Sequence, residues 1–543
     1  MYHPCDCVAT GLQCGMRGHA AVTVADGATP RESQRMMSFA SVIQGVGAAA
    51  RVYAAQLSLD QQIDAWLRPI ADAVSALIFH AVPVQTASGE VMFPLIVGWL
   101  VAGALVCTLA LRFINLRGFM HGFHLLRGDF SHHHDGAGGE VSHFQALTSA
   151  VSGTVGLGNI AGVAVAITLG GPGATLWMIL AGVLGMSAKF AECTLGVKYR
   201  RQHANGTVSG GPMYYLTRGI AEEYPRLRWL GWLLAIVFAV CTLLGAIGAG
   251  GMFQSNQAYA QIVAVTGGSE SWLAQRAWVF GGVMAILTGV VVLGGITRIG
   301  KVTEKLVPFM AALYLLAGMV VIAVNIAHVP EAMLAIWDGA FTAEGVQGGV
   351  LGALIVGFRR AAFSNEAGLG SAAIAHSAVK THQPVTEGFV ALWEPFIDTV
   401  VVCSMTALVI VISGQYLHGN ADGVQLTSNA FATVSSWFPY FLTLAVLLFA
   451  YSTMVTWAYY GAKAASFLAG GSHAALYGFK LIYLIGIVVG CTMPLASVVD
   501  LADGLLFIMA IPNLIGVYLL LPVVRRELDA YWHMVRGQSS RLP

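Results

Sequence analysis

The residues able to do chemistry in this chain are few, and most sit inside apolar runs. Two stretches concentrate them. The first reads Thr148-Ser149-Ala150-Val151-Ser152-Gly153-Thr154-Val155-Gly156-Leu157-Gly158-Asn159-Ile160-Ala161-Gly162. The second reads Phe358-Arg359-Arg360-Ala361-Ala362-Phe363-Ser364-Asn365-Glu366-Ala367-Gly368-Leu369-Gly370-Ser371. Glycine costs about 1 kcal/mol against alanine inside a helix. Several glycines beside Ser, Thr and Asn therefore predict unwound backbone over 153–159 and 363–370. At membrane depth such backbone is tolerated only where it lines a cavity or is buried in protein. A broken helix offers free N–H groups at one half-helix end and free C=O groups at the other. The first suits a carboxylate; the second suits an ammonium or a bare Na⁺, helped by hydroxyl and amide oxygens. One break can hold both poles of a zwitterion, so the chemistry points to an α-amino acid more readily than to a sugar. Gly162, Gly170, Gly182 and Gly185 lack polar company and read as helix-packing positions.

The charges near the breaks have two readings. Arg359 and Arg360 end one half-helix at its negative pole, and Glu366 begins the next at its positive pole. They form either an ion pair that shapes the break or direct contacts to substrate. Glu394 and Asp398, four apart, share a helix face. Acids within a membrane are functional candidates by default; the alternative is that they partner Arg359 or Arg360. Within the apolar runs, the bases Lys189, Arg359 and Arg360 face the acids Glu192, Glu366, Glu394 and Asp398. The one excess negative charge is what a bound cation would balance. Ser452 and Thr453 are adjacent mid-run hydroxyls, able to ligate Na⁺ or to bond back to their own helix. Trp457, one turn on, walls a pocket or fills core. Gln254 and Asn256 contact substrate or bond between helices. His132, His133, His134 and Asp135 read as a solvated loop rather than a metal site. Cys5, Cys7 and Cys14 lack a zinc-site pattern. Cys107, Cys193, Cys241, Cys403 and Cys491 read as small hydrophobes. No GxxxxGK[ST] or triad pattern supports ATP drive or covalent catalysis.

The elements that position these residues follow from composition. Of 543 residues, 57% are apolar and 10% charged, with mean hydropathy +0.71 and net charge +1. Soluble proteins carry about a quarter charged residues. This surface must face lipid, which excludes soluble enzymes, nucleic-acid binders and disordered scaffolds. The expectation is an all-α polytopic membrane protein with eleven transmembrane helices, at 93–113, 144–168, 174–196, 229–262, 277–295, 304–324, 347–378, 387–412, 437–466, 478–496 and 502–522. With the loop after the first span inside, 19 of the 28 basic residues fall on inside segments, and Arg276 alone falls on an outside loop between spans. The positive-inside rule then sets the N-terminus outside and the C-terminus cytoplasmic. The two broken helices open two sets of five spans. Five is odd, so the sets form a 5+5 inverted repeat with two discontinuous helices, the arrangement that places a transporter's site at its centre. Residues 1–60 read as an N-terminal extension with Met36 or Met37 as an alternative start, and 61–92 as an amphipathic helix region in which Trp66, Ile70, Val74, Leu77 and Ile78 share one face. Residues 93–142 hold a peripheral first span and a cytoplasmic loop, 143–324 and 347–522 the two repeats, and 523–543 a cytoplasmic tail.

Val155-Gly-Leu-Gly-Asn159 resembles the unwound first core helix of neurotransmitter-type sodium symporters. Gly156-Leu-Gly-Asn-Ile-Ala-Gly-Val-Ala164, Ser209-Gly-Gly-Pro-Met-Tyr-Tyr215 and Ala362-Phe-Ser-Asn-Glu-Ala-Gly-Leu-Gly-Ser371 resemble the alanine or glycine:cation symporter family. The resemblance covers about 60–525. It implies a leucine-transporter-type core in the cell (inner) membrane, coupling Na⁺, or sometimes H⁺, to uptake of alanine or glycine, with no organic cofactor. It implies that Thr154, Gly156, Gly158 and Asn159, then Ser364, Asn365 and Gly368, meet substrate or ion. It further implies a Na⁺ site from the Ser152 and Val155 carbonyls and the Ser452 and Thr453 hydroxyls, with Trp457 capping a pocket of methyl-group size. A channel or sensor on the same bundle is the alternative class, but it would need a continuous polar stripe. A membrane enzyme comes third.

Overall fold

The computed structural model describes residues 59–86, 89–129, 138–204, 206–293, 295–342, 349–419 and 421–539. The N-terminal cysteines, the alternative start and the His132–His134 run lie outside the described residues. The chain divides into two units, Met1–Gln62 and Ile63–Pro543.

Among the described residues the chain is mostly helical, with two short antiparallel strand pairs. Helix α1 (Leu59–Ile78) buries Ala71 and Ile78 while Ile70 and Leu77 stand exposed, so the apolar set expected on one face is split between body and surroundings. Strands β1 (Ala81–Thr86) and β2 (Gly89–Pro94) pair antiparallel and lead into α2 (Leu95–Ala110). Next come α3 (His143–Thr154) and α4 (Val163–Gly170), bent by 52° at the break between them. The core continues through α5 (Ala174–Lys198), α6 (Arg228–Gly245), α7 (Phe253–Val265), α8 (Ala277–Val292) and α9 (Gly295–Val324). The second broken helix is α10 (Gly349–Asn365) with α11 (Ala372–His376). It is followed by α12 (Pro384–Ala391), α13 (Ser404–Ser413), α14 (Phe438–Leu468), α15 (His473–Thr492), α16 (Leu495–Phe507) and α17 (Ala510–Ser539).

Among the described residues seven helical segments are long and apolar enough to cross a membrane, or eight if the bent α3–α4 pair counts as one. Two of the eleven expected spans, α2 and α8, are apolar but 16 residues each, a rise of about 24 Å at 1.5 Å per residue. The span expected at 347–378 is interrupted between Asn365 and Ala372, where Glu366 leaves the helical conformation. Polarity is inverted relative to a soluble protein. Val283, Ile286 and Val290 of α8 and Leu481, Ile482 and Ile485 of α15 are exposed, while Ser152, Asn159, Lys189, Glu192, Glu394 and Asp398 are fully buried. An apolar exterior over a polar centre is what lipid as solvent selects, and the chain is a multi-pass membrane protein.

Local chemistry explains where the key helices start. Ser142 caps α3: its hydroxyl accepts from the Gln145 N–H, and the Gln145 side chain accepts from the Ser142 N–H, both at 3.2 Å. Pro384 occupies the first turn of α12, where a missing N–H costs nothing.

Candidate functional site

Both predicted breaks are present, and they meet. In the first, α3 ends at Thr154 and Val155 leaves the helix at ψ 85. The freed N–H of Gly156 donates to Asn159 Oδ1 at 2.9 Å, and that of Leu157 to Gln254 Oε1 at 2.9 Å. In the second, α10 ends at Asn365 and Glu366 turns the chain at φ 57, a left-handed conformation unusual for a residue with a Cβ. Gly368 (φ 88) and Gly370 (φ 79) complete the turn. Asn365 Oδ1 accepts from the Ala367 N–H at 3.0 Å, and Asn365 Nδ2 donates to Thr399 Oγ1 at 2.9 Å.

Asp398 joins the two. It accepts from Asn159 Nδ2 at 2.7 Å, from Ser364 Oγ at 2.9 Å and from Thr399 Oγ1 at 2.7 Å. It is buried and partners neither arginine. Glu394 does not partner them either: its Oε1 accepts from Lys189 Nζ at 2.9 Å. Arg359 and Arg360 instead converge on Asp503 of α16, with Arg359 Nε 2.9 Å from Asp503 Oδ2 and the Arg360 guanidinium on the same oxygen. Arg359 also lies over the Phe79 ring at 3.9 Å. Glu366 is not in an ion pair with them; it accepts from the Ser371 hydroxyl and, at 3.0 Å, from Trp457 Nε1. The pairing of Arg359 and Arg360 with Glu366, Glu394 or Asp398 expected from sequence is thus corrected. The physical reason is distance along α10: the arginines lie a turn before the break, facing α16.

A cavity of about 10 Å³ remains between the breaks, lined among others by Thr154, Gly158, Gln254, Phe363, Glu366 and Trp457. That is room for about one water molecule. Gly250 lets Trp457 reach it, since a Cβ there would overlap the tryptophan's own Cβ.

Beside the first break α3 and α14 exchange oxygens. Ser152 Oγ donates to the Ser452 carbonyl at 2.9 Å, Thr453 Oγ1 to the Ser152 carbonyl at 3.1 Å, and Thr456 Oγ1 to Ser152 Oγ at 3.1 Å. Ser452 Oγ donates to the Phe449 carbonyl at 3.0 Å and sits 3.4 Å from the Ser152 carbonyl. Ser152, Ser452 and Thr453 are therefore brought together, and Thr456 joins them. The Val155 N–H bonds back to the Val151 carbonyl at 2.7 Å, closing the last turn of α3. The set is all oxygen, which fits a hard cation such as Na⁺ and not a soft metal. Among the described residues no group of three or more His, Cys, Asp or Glu could hold a metal ion.

Other expected contacts have structural partners. Gln254 Nε2 donates to the Ala249 carbonyl at 3.1 Å, a turn earlier in the chain, while its Oε1 accepts the Leu157 N–H. Asn256 Nδ2 donates to the Gly490 and Met493 carbonyls at 2.9 and 2.7 Å, tying α7 to α15. The Gly368 carbonyl accepts from Asn513 Nδ2 at 2.8 Å. Gly370 would bring a Cβ within 2.6 Å of Asn513 Oδ1 and of Pro212 Cγ, which places the Ser209–Tyr215 motif directly under the second break. Sequence reading missed Asp503, Asn513, Thr456, His376 and Glu387. Asp503 and His376 both fall within expected spans, and an ionisable side chain inside a span is the signal that could have found them.

This geometry defines a class: a helical membrane protein whose two interrupted helices meet at a closed polar centre. The sequence matches the family model described as "Sodium:alanine symporter family" over residues 79–541, and the chain belongs to that family. It is 40% identical over 462 residues to the sodium/alanine symporter AgcS of Methanococcus maripaludis, covering 84% of this chain and 98% of that protein. It is 35% identical to the probable sodium/glutamine symporter GlnT of Bacillus subtilis, covering 72% and 78%. Its relatives are transporters, and it is a cation-coupled amino-acid symporter by family rather than an enzyme. Among solved structures, MhsT in complex with L-phenylalanine aligns at a TM-score of 0.49 and 14% identity, covering 72% of this chain and 100% of that one.

Proposed function

We propose that this protein couples inward Na⁺ flow to uptake of a small neutral amino acid, alanine and/or glycine, by alternating access. The observation that carries the reading is the meeting of two helix breaks on one buried carboxylate, Asp398, beside the Ser152–Ser452–Thr453 oxygen cluster. Na⁺ would be held by the Ser152 carbonyl and the Ser452 and Thr453 hydroxyls, with the Val155 carbonyl turning in to join them, and would supply positive charge beside the substrate carboxylate. Substrate would displace the side-chain amides that now occupy the free backbone groups: Asn159 and Gln254 at the first break, Asn365 at the second. Thr154, Gly156, Gly158, Ser364 and Gly368 would line the space that opens. Trp457 would close it, limiting the side chain to about a methyl group. The names of the relatives above support sodium and a small amino acid.

The same reading takes the fold as eleven spans in a 5+5 inverted repeat in the cell membrane, with the C-terminus inside. Arg359, Arg360 and Asp503 would then close the outer side. Uptake of labelled alanine and glycine into proteoliposomes, with and without a sodium gradient, tests it. Accumulation that follows the gradient is expected; no cation-dependent accumulation of any small amino acid would overturn it.

A further inference from the structure

A string of ionisable side chains runs from the start of α3 into the buried core. His143, the first residue of α3, has a side chain 11% exposed, and its Nδ1 bonds Glu387 Oε2. Glu387 Oε1 is 2.5 Å from His376 Nδ1. His376 Nε2 faces Glu394 Oε2 at 3.5 Å, and neither atom has any other hydrogen-bond partner among the described residues. Glu394 Oε1 accepts from Lys189 Nζ at 2.9 Å. Beyond His143 all four side chains are fully buried. Lys189 stands within electrostatic reach of Glu366, which lines the central cavity, and of Glu192.

Burying so many ionisable groups costs several kcal/mol per ion before pairing offsets it. His–carboxylate chains inside membranes are the residue pattern of proton relays. An imidazole with one nitrogen on each of two carboxylates can take a proton on one side and release it on the other. With Glu387 and Glu394 ionised and Lys189 and His376 protonated, these four groups of the string carry no net charge; one further proton makes them +1. The other ionisable groups facing it are Glu192 and Cys193 on α5, Arg200 just beyond α5, and Tyr460 on α14. Arg200 is committed to the Ser377, Val379, Thr381 and Gly138 carbonyls. Glu304 is committed to Gln145 at 2.8 Å.

We infer that His143, Glu387, His376 and Glu394 form a proton path from the basic-residue-rich face to the central site, whose protonation opposes the cation bound there. The inference rests on the transport reading above. The His376 imidazolium gives its Nε2 proton to Glu394; a proton entering at His143 passes to Glu387, and a turn of the neutral His376 ring brings its bare nitrogen to Glu387 to take that proton up. At each step one N–H or O–H bond breaks as the next forms, so only a proton is exchanged. Neutral Glu394 leaves the Lys189 ammonium without its counter-charge beside Glu366. The added positive charge favours release of Na⁺, and rebinding of Na⁺ expels the proton.

The test is calorimetric titration of NaCl into the purified full-length protein at pH 7, in buffers of different ionisation enthalpy. The wild type is expected to release about 0.5–1 proton per sodium bound, the signature of linkage. His376→Gln, which cannot carry a proton between the carboxylates, is expected to cut that number at least about five-fold while still binding sodium. Should that variant fail to fold, His143→Gln at the partly exposed end is expected to do the same. Sodium heats that do not depend on buffer in the wild type, no sodium heat at all, or a proton number unchanged in a folded variant would each overturn the inference. Failure of the transport reading is seen separately, as absent alanine and glycine accumulation in vesicles.

Discussion

Arg360 and Asp503 are bound to each other one helical turn before Phe363 and Leu506, which line the central cavity on the same two helices. A buried ion pair thus lies directly over the closed chamber, and the two helices cannot part without separating charges. Removing one partner of a buried pair costs about 3–5 kcal/mol, because the other is left uncompensated. Asp503→Asn leaves two guanidiniums facing each other. We expect a clear drop in melting temperature and loss of most uptake, with Asp503→Glu recovering part of both. An unaltered melting temperature for Asp503→Asn would remove the pair from the energetics of closure.

Thr453→Ala deletes one hydroxyl from the oxygen cluster while leaving the Ser152 carbonyl in place. The expected result is a weaker sodium dependence of uptake, with half-saturation raised about ten-fold, or about 1.4 kcal/mol. Thr453→Ser, which keeps the oxygen, is expected to stay near wild type. A sodium response identical in all three proteins would take Thr453 out of the ion site.

Gly156→Ala is expected to abolish uptake with little loss of expressed protein. A Cβ at this position would overlap the Thr453 hydroxyl and lie 3.0 Å from Gln254 Oε1, so it intrudes on the cluster and on the amide that satisfies the break. Wild-type uptake by this variant would show that the first break has room the structure does not give it.

Trp457→Phe removes the 3.0 Å bond to Glu366 but keeps most of the ring, whereas Trp457→Ala removes the wall. Competition by serine, valine and leucine against labelled alanine separates the two effects. Only the alanine variant should admit the larger side chains. If leucine competes no better in Trp457→Ala than in wild type, another residue bounds the pocket.

The sequence exposed both helix breaks because Gly-Leu-Gly beside Asn and Ser is a local signal, and Glu366, Gly368 and Gly370 carry out the turn within six residues. It also exposed Ser452 and Thr453, because adjacent hydroxyls in an apolar run are rare. It could not pair the charges. Whether Asp398 meets Arg360 or Asn159 is decided by helix rotation and packing, and Asp398 and Asn159 are 239 residues apart. Asp503 was hidden for a related reason: near the end of a span, burial and exposure have the same sequence. The string from His143 to Lys189 draws on four separate segments, each contributing one or two groups that look unremarkable alone.

The cavity between the breaks has room for about one water molecule, and this small size has an electrical meaning. A space of that size admits no continuous file of water, so a hydrated sodium ion has no conducting route between the two breaks. Under the proposed function the closed centre is an insulator set into an insulating membrane, and the driving gradient is not drained between cycles.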